Sequence, residues 1–186
     1  MRKLISLIIV TIIMFSCIIF PAFADTRSTK SVNYKIDNDT SDTANCYNIR
    51  NGYTAYIKDS DYYNGDLRRT YSNSSSDSYS WVRKTTFGNS VKNNPINLIV
   101  GVYLKSTVLS DSAASYWCMQ KDGAYKMFTM NQTTHANGWS YYSYTINKNY
   151  QTAGWYSIMG IEVMPSHTGS GYSAADAISV SAKTYT

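Results

Sequence analysis

Apolar side chains recur at every second position over much of this chain. The clearest run is Ile96, Leu98, Val100, Val102 and Leu104, which predicts a strand with one buried face. Trp155, Ser157, Met159, Ile161 and Val163 alternate with Tyr156 and Ile158, and Ile178, Val180 and Ala182 mark a closing strand over Ala177–Thr184. Tyr116–Met119 and Ala124–Met130 flank Lys121-Asp122-Gly123, a hairpin signature because Asp-Gly supplies the positive φ of a tight turn. Ser140–Ile146 follows the turn signal Asn137-Gly138, and Val32–Asp37, Tyr53–Ile57 and Tyr79–Lys84 complete the strand set. Helical periodicity is nearly absent and Glu162 is the sole glutamate. Tyr, Thr, Ser, Val and Ile dominate instead, which suits pleated, half-buried surfaces.

Eight or so short strands, broken by Gly, Asn, Asp and Ser, indicate an all-β fold. The architecture expected is a single two-sheet antiparallel β-sandwich, jelly-roll-like, with a closed barrel as the alternative. The Ser-rich stretch Tyr71–Ser80 reads as a surface loop, and neither an internal repeat nor a second-domain boundary is visible.

The beginning of the chain follows a different pattern. Arg2 and Lys3 precede an apolar run of 17 residues, Leu4–Phe20, which Pro21-Ala22-Phe23-Ala24 closes ahead of Asp25. A basic start, an apolar core and small residues three apart predict a secretory signal over residues 1–24, cut after Ala24. A membrane anchor is the other reading, but 17 residues sit at the lower limit of a spanning helix. Cys17 falls inside this segment, and Ile18-Ile19-Phe20 continue the apolar run beyond it. The expectation is a secreted, extracellular protein with no stable membrane span after cleavage. Residues 25–31 form a flexible lead-in and residues 32–186 the sandwich domain.

The formal charge of +5 falls to about +3 without the leader, and no later Lys/Arg run exceeds two residues, which argues against nucleic acid as a partner. Two cysteines remain, Cys46 and Cys118. In an exported protein such a pair predicts a disulfide, worth on the order of 4 kcal/mol for a loop of about 70 residues. Two free buried thiols are the alternative.

Motifs of catalysis are missing. His135 and His167 lie in polar, turn-like surroundings, with neither an H-E-x-x-H helix nor a G-x-S-x-G elbow. Nothing singles out one serine as a nucleophile, and no aspartate lies in a recognisable carboxylate pair. Asp37-Asn38-Asp39 with Asp42, and Asp59 with Asp61 and Asp66, are oxygen-rich clusters of the sort that hold calcium, although EF-hand spacing is absent. The same residue types cap turns and solvate loops. No cofactor is implied beyond that optional structural calcium, whose ligands the sequence leaves unspecified. Asp176, set between Ala175 and Ala177, is expected to be hydrogen-bonded to backbone N–H groups or a nearby Arg, because burying it unpaired costs several kcal/mol.

Aromatic residues are the feature that points to a partner. Eighteen Tyr, four Trp, Phe87 and Phe128 fall in the 162 residues after the leader. Trp81 and Trp155 sit inside alternating segments and are expected between the sheets. In Trp139-Ser140-Tyr141-Tyr142-Ser143-Tyr144, strand geometry puts Tyr142 and Tyr144 on one face and Trp139 and Tyr141 on the other. One of those faces is therefore less apolar than a core requires. Tyr62-Tyr63, beside Asn64-Gly65-Asp66, form a loop-borne pair. Rigid rings with an apolar face and a polar rim grip sugars or protein surfaces, so Tyr62, Tyr63, Trp139, Tyr141 and Tyr142 are the candidate ligand-binding residues. The alternative is that tyrosine serves here as a strand residue with one wet end.

Three segments carry a family resemblance. Tyr34-Lys35-Ile36-Asp37-Asn38 is similar to an opening strand that ends in Asp-Asn. Tyr62-Tyr63-Asn64-Gly65-Asp66-Leu67-Arg68, followed by Tyr79-Ser80-Trp81, resembles a Tyr-Gly-Asp-Tyr stretch and its following Trp. Gly154–Gly160 and Gly171–Ile178 are similar to closing strands that finish on Ala-Asp-Ala. Together they resemble a divergent golvesin C-terminal-like domain, a family also found at the end of xanthan lyases. The resemblance implies a β-sandwich that binds polysaccharide or cell-wall material and has no catalytic residues of its own. The function expected is therefore a secreted, non-catalytic binding module. A secreted hydrolase with an unrecognised site and a structural or antimicrobial exoprotein are the alternatives.

Overall fold

The computed structural model describes residues 28–40, 43–88, 94–105, 109–135, 137–147 and 156–185. The leader, Asp42 and Trp155 lie outside them. Among the described residues there are twelve strands: β1 (Thr29–Asp37), β2 (Cys46–Asn51), β3 (Ala55–Lys58), β4 (Asp66–Tyr71), β5 (Ser78–Thr85), β6 (Ile96–Lys105), β7 (Ala114–Gln120), β8 (Gly123–Met130), β9 (Asn137–Ile146), β10 (Ile158–Met164), β11 (Tyr172–Ala175) and β12 (Ala177–Tyr185). They form a four-stranded sheet β1-β12-β6-β9, a five-stranded sheet β2-β5-β10-β7-β8 and a three-stranded sheet β11-β4-β3, every pairing antiparallel. None closes into a barrel. The two larger sheets face one another, with the Arg83 guanidinium of β5 over the Tyr34 ring of β1 and Phe128 of β8 stacked on Tyr142 of β9.

The strongest alternation in the sequence is the spine of the first sheet. Ile96, Leu98, Val100, Val102 and Leu104 of β6 are all buried, and Ile36, Ile178 and Val180 extend the same apolar layer on β1 and β12. The opposing layer is supplied by Trp81, Tyr116, Cys118, Ile161 and Val163. Three of the buried rings have partners for their polar tips: Trp81 Nε1 donates to Asp176 O at 3.3 Å, Tyr79 OH donates to Asn38 O at 2.7 Å, and Gln132 Nε2 donates to Tyr116 OH at 3.1 Å. The Lys121–Gly123 turn joins β7 to β8, with Gly123 at φ 151.

Three differences from the sequence expectations have physical causes. First, Cys46 and Cys118 are free thiols and not a disulfide. They belong to the same sheet on β2 and β7, with β5 and β10 between them. Three inter-strand steps separate them by roughly 14 Å, twice the reach of a disulfide. Burial pushes the Cys118 thiol up to about 12. Second, the β10–β5 register shifts between Ile158 and Gly160. Ile158 therefore joins Ile161 and Val163 in the core, while Met159 lines a surface groove with Tyr47, Ile49 and Met119. Third, β4 runs through Tyr71 and β5 starts at Ser78, so the Ser-rich loop is shorter than the stretch Tyr71–Ser80. Strand β1 likewise begins at Thr29, within the expected lead-in.

Candidate functional site

The outward face of the four-stranded sheet follows from its register. One cross-strand row reads Lys35 (β1), Ser179 (β12), Gly101 (β6) and Tyr141 (β9). The next reads Asp37, Ala177, Tyr103 and Trp139, and on the other side lies Asn33, Ser181, Ile99 and Ser143. Gly101 is the element that organises this surface. A Cβ there would meet the Ser179 hydroxyl and come within 2.7 Å of the Tyr141 ring, so the missing side chain is the space over which that ring lies. Tyr141 is 62% exposed although it is large and apolar.

Four rings gather at this end. Trp139 stacks on Tyr141 at 6.2 Å between centroids, and meets Tyr103 at 5.4 Å and Tyr63 at 5.6 Å edge-on. The Lys35 ammonium sits 5.2 Å from the Trp139 centroid, within range of the ring quadrupole. Beside the rings lies a groove of about 300 Å³, lined by Asn33, Lys35, Ile99, Tyr141, Ser179 and Ser181. It combines an aromatic floor, a cation, an amide and two hydroxyls.

Tyr63 reaches the face because the connection from β3 to β4 is tied down there. Asn64 adopts φ 53 and donates Nδ2–H to Asp37 Oδ2 at 2.7 Å. Lys105 Nζ meets Asp61 Oδ1 at 2.7 Å, and Tyr103 OH donates to Asp61 O at 3.2 Å. The Tyr63 N–H donates to Asp176 Oδ2 at 3.1 Å, a backbone partner of the kind expected for that buried acid. Burial pushes the Asp176 carboxyl up to about 8; the Tyr63 N–H opposes the shift, and the charges of Asp37 and Asp66 add to it. Desolvation also raises Asp37, against the Asn64 hydrogen bond.

Of the five rings singled out in the sequence, Tyr63, Trp139 and Tyr141 come together on this surface. Tyr62 and Tyr142 are turned toward the core instead. Tyr142 lies 4.0 Å from Phe128 at an interplanar angle of 6°, and Phe128 stacks in turn on Tyr116. Lys35, Gly101 and Tyr103 complete the surface. Their membership depends on which strands are neighbours, which a single sequence does not state.

The remaining candidates have ordinary partners. His135 Nδ1 lies 2.9 Å from Asn131 O and His167 Nδ1 lies 2.6 Å from Ser74 O. Asp39 pairs with Arg68 at 3.3 Å and Arg50 at 3.7 Å, Asp66 accepts from Tyr56 OH, and Asp59 accepts the Asp61 N–H. Among the described residues no three His, Cys, Asp or Glu are grouped so as to hold a metal ion, and no helix is long and apolar enough to cross a membrane.

No family model matches the chain, and no curated protein matches it in sequence. Among solved structures it is similar to part of a Paenibacillus xanthan lyase, with a TM-score of 0.50 and 15% identity, over 80% of this chain and 13% of the lyase. It is also similar to part of an exo-β-1,3-galactanase from Phanerochaete chrysosporium, with a TM-score of 0.47 and 10% identity, over 80% of this chain and 29% of that one. A xylan-binding module gives a TM-score of 0.35 and 13% identity, over 83% of this chain and 97% of the module. The chain thus spans a small part of either enzyme. At this identity the likeness to the lyase establishes a β-sandwich of related fold, and function has to be argued from the site.

Proposed function

We propose that this protein is a secreted, non-catalytic binding module for an extracellular glycan or cell-envelope polysaccharide, and a divergent golvesin C-terminal-like domain. One observation carries the reading: a stacked Trp139–Tyr141 platform, with Tyr141 62% exposed, borders a groove lined by hydroxyl, amide and ammonium groups. A sugar ring has apolar C–H faces and a hydroxyl rim, so an aromatic floor with polar side chains matches both. A solvated sheet face has no need of four clustered rings, and singly scattered aromatics would carry no such meaning. Export rests on the leader pattern of residues 1–24, and the family assignment on the three segments that resemble it.

The test is retention of the protein on insoluble cell-wall material, cellulose, chitin and xylan, with soluble sugar monitored alongside. Retention on one class without release of soluble fragments is expected. Retention with steady release of fragments would replace this reading with the hydrolase, and retention on none would overturn glycan binding.

A further inference from the structure

A second exposed aromatic pair lies on a different sheet. Tyr71 of β4 and Tyr172 of β11 are direct cross-strand partners, and their rings stack at 5.1 Å with an interplanar angle of 28°. The Arg69 guanidinium lies 3.9 Å from the Tyr172 centroid. Tyr172 is partly buried and holds its two neighbours, whereas Tyr71 is 61% exposed. The three residues border a cavity of about 430 Å³ whose wall also includes Thr54 and the Asp77 carboxylate. Among the described residues no carboxylate lies within ion-pair distance of Arg69, and its Nε–H is buried without an acceptor. Asp77 is fixed by the Thr70 hydroxyl, and it occupies the space that a side chain on Gly52 would fill.

We infer that this cavity is a second sugar-binding site, which takes a neutral sugar residue stacked on Tyr71. The chemistry of the wall selects the ligand. A carboxylate accepts from hydroxyls and a guanidinium donates to them, so Asp77 and Arg69 together suit a ring with neighbouring hydroxyls. The opposite charges of Arg69 and Asp77 offset one another, which suits a ring without a charge of its own. The inference rests on the glycan reading above and adds valency to it. Two sites on one rigid module make the second contact with a polymer intramolecular, which raises retention without any new contact chemistry.

The probes are cellulose, chitin, xylan and insoluble β-1,3-glucan, with a hexasaccharide of whichever polymer retains the protein. The full chain is compared with Trp139→Ala/Tyr141→Ala, with Arg69→Gln/Tyr71→Ala and with the fourfold variant, and melting temperatures are recorded. Each double variant is expected to weaken retention at least tenfold and to lower the hexasaccharide stoichiometry from two to one, with the fourfold variant retained on nothing. Tyr71→Trp, which keeps an exposed aromatic face and leaves Arg69 untouched, is expected to bind at least as well as the parent. Unchanged retention of Arg69→Gln/Tyr71→Ala would overturn the second site and leave the first standing. Loss on that variant, with none on Trp139→Ala/Tyr141→Ala, would uphold the cavity and overturn the sheet face as the primary site. Retention of the parent on none of the probes would overturn both.

Discussion

Tyr141 and Tyr142 are adjacent in sequence and opposite in role, because successive strand side chains point to opposite faces. Tyr142 stacks on Phe128 inside the sandwich, so Tyr142→Ala is expected to cost about 2–4 kcal/mol of folding stability, measured by urea denaturation. A loss of binding with unchanged stability would contradict that assignment. Asp176 makes a different prediction. Its folded carboxyl is raised to about 8 from the ordinary aspartate value near 4, so between those values the folded state holds a proton that the unfolded chain releases. Stability must therefore fall as pH rises from about 4 to about 8, by up to about 1.4 kcal/mol per pH unit, and Asp176→Asn should flatten that slope. A wild-type slope unchanged in the Asn variant would show that the raised carboxyl contributes nothing.

Among the elements, β6 was the most legible in the sequence because both of its sheet neighbours bury the same face, which makes its alternation strict. Alternation alone does not reveal β2, β4 or β11, and only the family resemblance covers β11, within Gly171–Ile178. β2 and β4 carry Asn, Arg or Asp at half of their positions, and β11 has only four residues. The candidate site was legible only in part. Tyr63, Trp139 and Tyr141 announce themselves by composition, whereas Lys35, Gly101 and Tyr103 join them through strand order. Gly101 tests that geometry. Gly101→Val should push the Tyr141 ring off the sheet and weaken glycan retention at least tenfold, because a Cβ already comes within 2.7 Å of that ring. Unaltered retention in a folded Gly101→Val variant would show that the position of Tyr141 over β6 does not matter for binding.

At the scale of the whole molecule, the fold stands without a covalent cross-link between Cys46 and Cys118. A reductant should leave the melting temperature of the purified protein unchanged, and a drop of several degrees would indicate a disulfide that the strand order forbids. What stabilises the sandwich is the apolar layer between its two larger sheets. That layer leaves the outer face of the four-stranded sheet free to carry rings that add little to stability. If these outer rings serve a ligand, the affinity of Tyr141→Ala for the retained polysaccharide, measured beside its melting temperature, shows it. Truncating an anchoring aromatic costs about 2 kcal/mol, so roughly 30-fold weaker binding with an unshifted melting temperature is predicted. Binding within a factor of two of the parent, or a loss that merely follows unfolding, would contradict it.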